Sequence, residues 1–252
     1  MRVVSLCPSL TETVFRLGKG EELVGRTKFC VEPREHIGAV PKVGGTKNPK
    51  LERILALRPD LVLMNEEENR IEDAAALREK GVPVLSTFAR DVPGAIESVV
   101  AIGQAISADA AAQRLAAELR QHAAAVAERA AQRPAVDFIY LIWQKPWMAV
   151  AGETYIAGLL TLAGGRNTLA ASAVRYPEVS AEILAQARLI LLSSEPFPFA
   201  ERHRLELIQE LGLPAERFLL VDGQLLSWHG ARTLEGLAYA ERLFVEATRG
   251  RA

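Results

Sequence analysis

"LERILALRPDLVLMNEE" (51–67) and "SAEILAQARLILLSSE" (180–195) lie more than a hundred residues apart and share one pattern. In both, a helical stretch containing "IL-A" runs into an apolar strand, and the strand ends in a polar tip. Each is followed by a further helix and strand, "VPVLST" (82–87) in the first half and "RFLLVDG" (217–223) in the second. Upstream, "TETVFRLGKGEELVG" (11–25) and "ETYIAGLLTLAGGRN" (153–167) match in apolar spacing and glycine stops. Self-similarity over such a distance predicts two related lobes.

Within the first half, strands and helices alternate. "RVVSLC" (2–7) reads as a strand and "PSLTETVFRLG" (8–18) as a helix with Pro8 at its start and Gly18 at its stop. "PKLERILALRP" (49–59) is a helix, "DLVLMN" (60–65) a strand, and "ENRIEDAAALREKG" (68–81) a helix stopped by Gly81. Alternation of this kind predicts an α/β fold with parallel sheets. From Val92 to Arg133 punctuation almost ceases, and "ADAAAQRLAAELRQHAAAVAERAAQR" (108–133) has the strongest helix propensity in the chain. At about 1.5 Å per residue it would span nearly 40 Å. It is read either as a surface helix on one sheet or as a rod joining two lobes. The expected division is an N-terminal α/β lobe at 1–105, a connecting helix at 106–133 and a C-terminal α/β lobe at 134–252.

The totals exclude several classes. Of 252 residues, 30 are basic and 31 acidic, so no global field favours nucleic acid or an anionic membrane. No apolar run approaches the roughly 20 residues of a membrane span. The N-terminus enters a strand at once, without the pattern of an export signal, so the chain is expected to be cytosolic or a mature form restarted at Met1. Cys7 and Cys30 have neither CxxC nor zinc-ligand spacing.

Ligands of open α/β sheets bind beyond the carboxyl ends of the strands, so two facing lobes would line one cleft with their tips. Those tips collect all three tryptophans: Trp143 and Trp147 in "YLIWQKPWMAVAG" (140–152), and Trp228 in "LLSWHGART" (225–233). Aromatic faces with scattered donors suit a large, mostly apolar ligand. His229 beside Trp228 is a candidate axial donor to a macrocycle-bound cobalt or iron. His36, His122 and His203 read as surface residues and supply no second ligand. Cys7 ends a strand before a helix, which would make it the nucleophile of a cysteine-dependent enzyme on a rival reading. Acidic residues follow equivalent strands in "NEEENRIED" (65–73) and "SSEPFPFAERHR" (193–204). They read as solvated helix starts or as paired docking points for a two-fold partner with arginine sockets.

"VVSLCPSLTETVFRLGKGEELVGRT" (3–27), "VGGTKNPKLERILALRPDLVL" (43–63) and "DGQLLSWHGART" (222–233) resemble the substrate-binding proteins of ABC importers that have a helical backbone. The cobalamin-binding group is nearest, with siderophore and haem receptors beyond it. The resemblance implies two Rossmann-like lobes joined by one long helix, a ligand between them, no catalysis, no catalytic cofactor, and an extracytoplasmic monomer serving a permease dimer. Carried over by position, ligand contacts fall at Pro8, Cys30, Asn65, Trp147, Phe197, Trp228 and His229. Trp143, Trp147, Trp228 and Phe197 would cover the faces of a cobalamin-type macrocycle, while Thr46, Asn48, Lys145 and Arg232 meet its amides and phosphate. Glu72 on the first lobe and Glu195 or Glu201 on the second are the docking candidates. A ferric-siderophore or haem receptor on the same scaffold is the alternative ligand reading. A cytosolic corrinoid or metal chaperone is a third.

Overall fold

The computed structural model describes residues 1–249. The chain forms two compact units. The N-terminal unit comprises Met1–Ala89, Pro93–Arg120 and His229–Arg232; the C-terminal unit takes Arg90–Val92, Gln121–Trp228 and the chain from Thr233.

The elements of the first half are β1 (Val3–Ser5), α1 (Pro8–Arg16), β2 (Leu23–Arg26), α2 (Arg34–Ile37), α3 (Leu51–Ala56), β3 (Leu61–Asn65), α4 (Ile71–Glu79) and β4 (Val84–Thr87). Their sheet is wholly parallel, in the order β2-β1-β3-β4. Two helices follow, α5 (Val92–Ala105) and α6 (Asp109–Ala131). The second half contains β5 (Val136–Trp143), β6 (Met148–Ala149), α7 (Tyr155–Leu162), β7 (Gly165–Asn167), α8 (Ala181–Gln186), β8 (Leu189–Ser193), α9 (Glu201–Leu211), β9 (Phe218–Val221), α10 (Gly223–Ser227) and α11 (Thr233–Arg249). With β6 set aside, its parallel order is β7-β5-β8-β9, the same path as the first sheet. The duplication legible in the sequence is therefore a duplication of topology. The β6 strand, antiparallel to β5 with Trp143 opposite Met148, is an addition to the second half.

Physical causes are local. β3 and β8 are buried at all five positions, as central strands of parallel sheets covered on both faces must be. Val4, Leu6, Ile54, Val62, Met64 and Leu77 form the N-terminal core; Ile139, Leu141, Ile190, Leu192, Leu207 and Phe218 anchor the C-terminal one. Each such burial stabilises by about 1.5–3 kcal/mol before chain entropy is counted. α1 begins with Pro8, whose missing N–H costs nothing at that position, and stops at Gly18, whose φ of +76° few other residues adopt. Thr154, Ser180 and Asp222 cap α7, α8 and α10 through their side-chain oxygens.

Two boundaries differ from expectation. The long helix is shorter at its start: α5 ends at Ala105 and α6 begins at Asp109, with Ser107 at φ +53° between them. α6 itself begins in the N-terminal unit and ends in the C-terminal one. Residues 229–232 fold with the N-terminal unit, and three of these four residues find hydrogen-bond partners in it. His229 meets Asn65, the Ala231 N–H donates to Thr13 Oγ1 at 3.2 Å, and Arg232 forms a two-pronged pair with Glu12 at 2.7 and 2.8 Å.

Candidate functional site

At the tip of the N-terminal sheet two asparagines organise the loops. Asn69 Nδ2 donates to the Leu6 and Thr46 carbonyls, both at 3.0 Å, and its Oδ1 accepts the Asn65 N–H at 2.8 Å. Asn65 Oδ1 accepts the Glu67 and Glu68 N–H groups at 3.0 and 3.2 Å. Its amide nitrogen therefore faces the Thr87 carbonyl at 3.1 Å and His229 Nε2 at 3.0 Å. With both amide hydrogens donated, His229 Nε2 is an acceptor and the ring proton sits on Nδ1. Burial pushes the His229 pKa down to about 4, so the imidazole is neutral at pH 7.

This geometry corrects the axial-ligand expectation for His229. The lone pair that would reach a metal is already engaged by Asn65, and the ring is only 6% exposed. Arg232 is likewise committed to Glu12 rather than offered to a ligand phosphate. Asn65, Cys30 and Thr46 are buried beneath the tip, whereas Asn48 is exposed on it and Pro8 is half-buried at the start of α1. The nucleophile reading of Cys7 also fails on the structure. The thiol is 3% exposed, desolvation pushes its pKa far up, and Glu68 adds to the shift. Its neighbour Ser9 Oγ lies at 3.3 Å, while the Cys30 sulfur accepts from Thr11. Both cysteines are free thiols.

Exposed on the same tip are Lys28, Phe29, Lys47, Asn48, Glu66 and Glu68. Beside it, a recess of about 280 Å³ is lined by Asn65, Glu66, Arg70, Ile71, Arg78 and Ser86 among others. Glu72, in the first turn of α4, is exposed; its own backbone N–H and then Arg70 hold its carboxyl below the usual range.

The C-terminal tip is aromatic. β5 and β6 make a hairpin whose turn carries Lys145, in a left-handed conformation at φ +65°, and Pro146. Trp143 remains 42% exposed and meets Phe197 edge-on at 5.6 Å. Phe197 in turn contacts Phe199 at 4.8 Å and His203 at 5.0 Å. Trp147 is half-buried, packed with Phe197 against the C-terminal core. Trp228 is buried, and its indole N–H donates to Glu195 Oε2 at 3.0 Å. Gln224 Nε2 occupies the other oxygen at 3.1 Å. Glu195 is half-buried and clasps Trp228 and Gln224, whereas Glu201 is exposed and bonded to Arg204 at 2.7 Å. His203 is buried instead of lying on the surface, because its Nδ1 accepts the Ala200 N–H at the start of α9 and its ring meets Phe197 edge-on.

Sequence reasoning missed Asn69, Arg26 and Glu12. The spacing of Asn65 and Asn69, two amides one helical turn apart after a strand, was the available signal for the first network. Among the described residues no three His, Cys, Asp or Glu side chains cluster as a metal site, and no helix is long and apolar enough to cross a membrane.

Two parallel α/β units of shared topology, each with a polar or aromatic strand-tip face, define a solute-binding architecture. Residues 3–195 match the periplasmic binding protein family, and the chain belongs to it. It is 28% identical over 204 residues to a vitamin B12-binding protein of Vibrio campbellii, covering 81% of this chain and 72% of that one. Among solved structures, the periplasmic vitamin B12 binding protein BtuF of Vibrio cholerae superposes with a TM-score of 0.82 at 22% identity, over 98% of this chain and 97% of the other. The apo periplasmic heme-binding protein RhuT of Roseiflexus sp. RS-1 gives 0.83 at 25% identity, covering 98% of both.

Proposed function

We propose that this chain is the substrate-binding protein of an ABC importer and that its ligand is cobalamin or a related corrinoid. The observation that carries the ligand class is the exposed Trp143 ring, braced edge-on by Phe197 on a hairpin the first half lacks. A braced ring offers a flat apolar face with little ordering cost. The similarity to the Vibrio campbellii vitamin B12-binding protein supports a corrinoid. Trp143, Trp147 and Phe197, all in the C-terminal unit, are the proposed face contacts, with Lys145 of the same unit as a polar contact. Binding is the whole of the mechanism: no bond in the ligand is made or broken.

For delivery, Glu72 and Glu201 are the proposed docking carboxylates toward a permease dimer, each exposed at the start of a helix. The periplasmic character of the family supports a location outside the cytoplasm. Haem is the second reading, favoured by the structural likeness to a heme-binding protein at 25% identity.

The test is tryptophan quenching by cyanocobalamin, hemin and a ferric siderophore, measured side by side. All three tryptophans lie in the C-terminal unit, next to or within the proposed contacts. Saturable quenching by cyanocobalamin at micromolar concentration or below, lost in Trp143→Ala, supports the corrinoid. Saturation by hemin alone transfers the assignment to haem.

A further inference from the structure

The exposed Trp143 ring ends a row of aromatic rings that starts on α9 and lies wholly in the C-terminal unit. α9 is firmly seated. Leu207 is fully buried, and Arg204 donates from Nε to the Phe218 carbonyl at 2.8 Å and from Nη2 to the Ala215 carbonyl at 2.9 Å. In the first turn of the helix His203 is 6% exposed, and its Nδ1 accepts the Ala200 N–H at 3.0 Å. Fixed at that nitrogen, the imidazole stands edge-on to Phe197, with centroids 5.0 Å apart and planes at 61°. Phe197 repeats the arrangement on Trp143, at 5.6 Å and 69°. The residues flanking Trp143 are tied as well. The Ile142 carbonyl accepts the Phe197 N–H at 3.3 Å, and Gln144 donates to Glu206, one turn along α9 from His203, at 3.3 Å. A ring left 42% exposed has few contacts of its own to select a rotamer, so its orientation is set from behind.

We propose that His203 is a positioning residue for ligand binding, fixing through Phe197 the orientation in which Trp143 meets the ligand. His203 itself does not touch the ligand. The inference rests on the reading of Trp143 as a ligand-contact face and adds the side chain that orients that face. Edge-to-face packing is directional, since a positive ring edge seeks a negative ring face, so an imidazole held at one nitrogen transmits a definite tilt along the row. A ligand then meets a ring that is already oriented, and binding is not weakened by the need to order it.

Two substitutions separate the ring from the hydrogen bond. His203→Gln keeps an acceptor for the Ala200 N–H, because glutamine at the third helical position reaches back to the residue before the helix, but it removes the ring. His203→Phe keeps a ring and loses the acceptor. Near-UV circular dichroism of the ligand-free protein reads the orientation of Trp143, whose share is the difference between wild type and Trp143→Ala. Calorimetry with cyanocobalamin reads affinity, and far-UV dichroism checks each fold. His203→Gln is expected to lose most of the Trp143 signal and to bind about threefold more weakly, the size of one edge-to-face pair. In the Trp143→Ala background the same substitution should leave affinity unchanged, because the ring it orients is gone. His203→Phe should keep the Trp143 signal and bind within about twofold of wild type. An unaltered Trp143 signal in His203→Gln, or a loss of affinity that recurs in full in the Trp143→Ala background, overturns the proposal. Should His203→Gln not fold, His203→Phe decides: a retained signal and affinity support the role of the ring, and loss of either overturns it. If cyanocobalamin does not bind, the corrinoid reading fails by itself and the ligand-free spectra decide the positioning. A Trp143 signal lost in His203→Gln then supports it, and an unaltered one overturns it.

Discussion

Lowering the pH should weaken the N-terminal unit through His229. In the folded protein the ring is 6% exposed, bonded at Nε2 to Asn65, and its pKa is pushed down to about 4. In the unfolded chain the value returns to near 6.5. Between those values the unfolded state binds the extra proton, so stability is full above pH 6.5 and falls as the pH drops toward 4. The loss integrates to about 3 kcal/mol, with a slope near 1.4 kcal/mol per pH unit in the middle of the window. Urea unfolding at intervals from pH 7.5 to 4 measures it. Tryptophan fluorescence follows the C-terminal unit, where all three indoles lie, while far-UV circular dichroism follows both units. The acid-induced shift should therefore appear in the dichroism before the fluorescence. His229→Gln keeps an acceptor for Asn65 and removes the titration, so the variant should lose most of that slope. An unchanged slope in the variant would refute the assignment to His229.

Other outcomes follow from the same contacts. Asn65→Leu orphans buried His229 Nε2 and frees the Glu67 and Glu68 N–H groups, although the Thr87 carbonyl keeps the Glu66 N–H; a loss of about 3 kcal/mol in urea unfolding is expected. Arg232→Ala removes a two-pronged, mostly covered pair with Glu12 and should cost about 2 kcal/mol by the same measurement, with Arg232→Lys recovering only part. Iodoacetamide at pH 7 should leave Cys7 and Cys30 largely unlabelled until denaturant is added, since burial raises both thiol pKa values. Trp143→Ala should reduce ligand affinity about tenfold while shifting the melting temperature little, because the ring is largely outside the core.

The large features of this fold are visible in the linear chain because they depend on period and punctuation. β3 and β8 announce themselves as unbroken apolar runs, and the repeat between the halves shows in the spacing alone. The helix stops at Gly18 and Gly81 are written in residue type, since both have φ of +76°. Side-chain assignments fared differently. The bond between Asn65 and His229 is hidden in the linear chain by 164 residues of separation. Glu195 resembled a solvated carboxylate because nothing local indicates that Trp228 and Gln224 will close on it. The hairpin explains why two tryptophans cluster around a Lys-Pro turn: β6 pairs back on β5 and leaves Trp143 outside while Trp147 folds inward.

The most direct measurement of the central claim is isothermal titration of the protein with cyanocobalamin. The account predicts a single 1:1 transition with a Kd in the micromolar range or below, corresponding to about −8 kcal/mol or stronger. Absence of binding heat at several temperatures, with unquenched tryptophan fluorescence in the same samples, would contradict it.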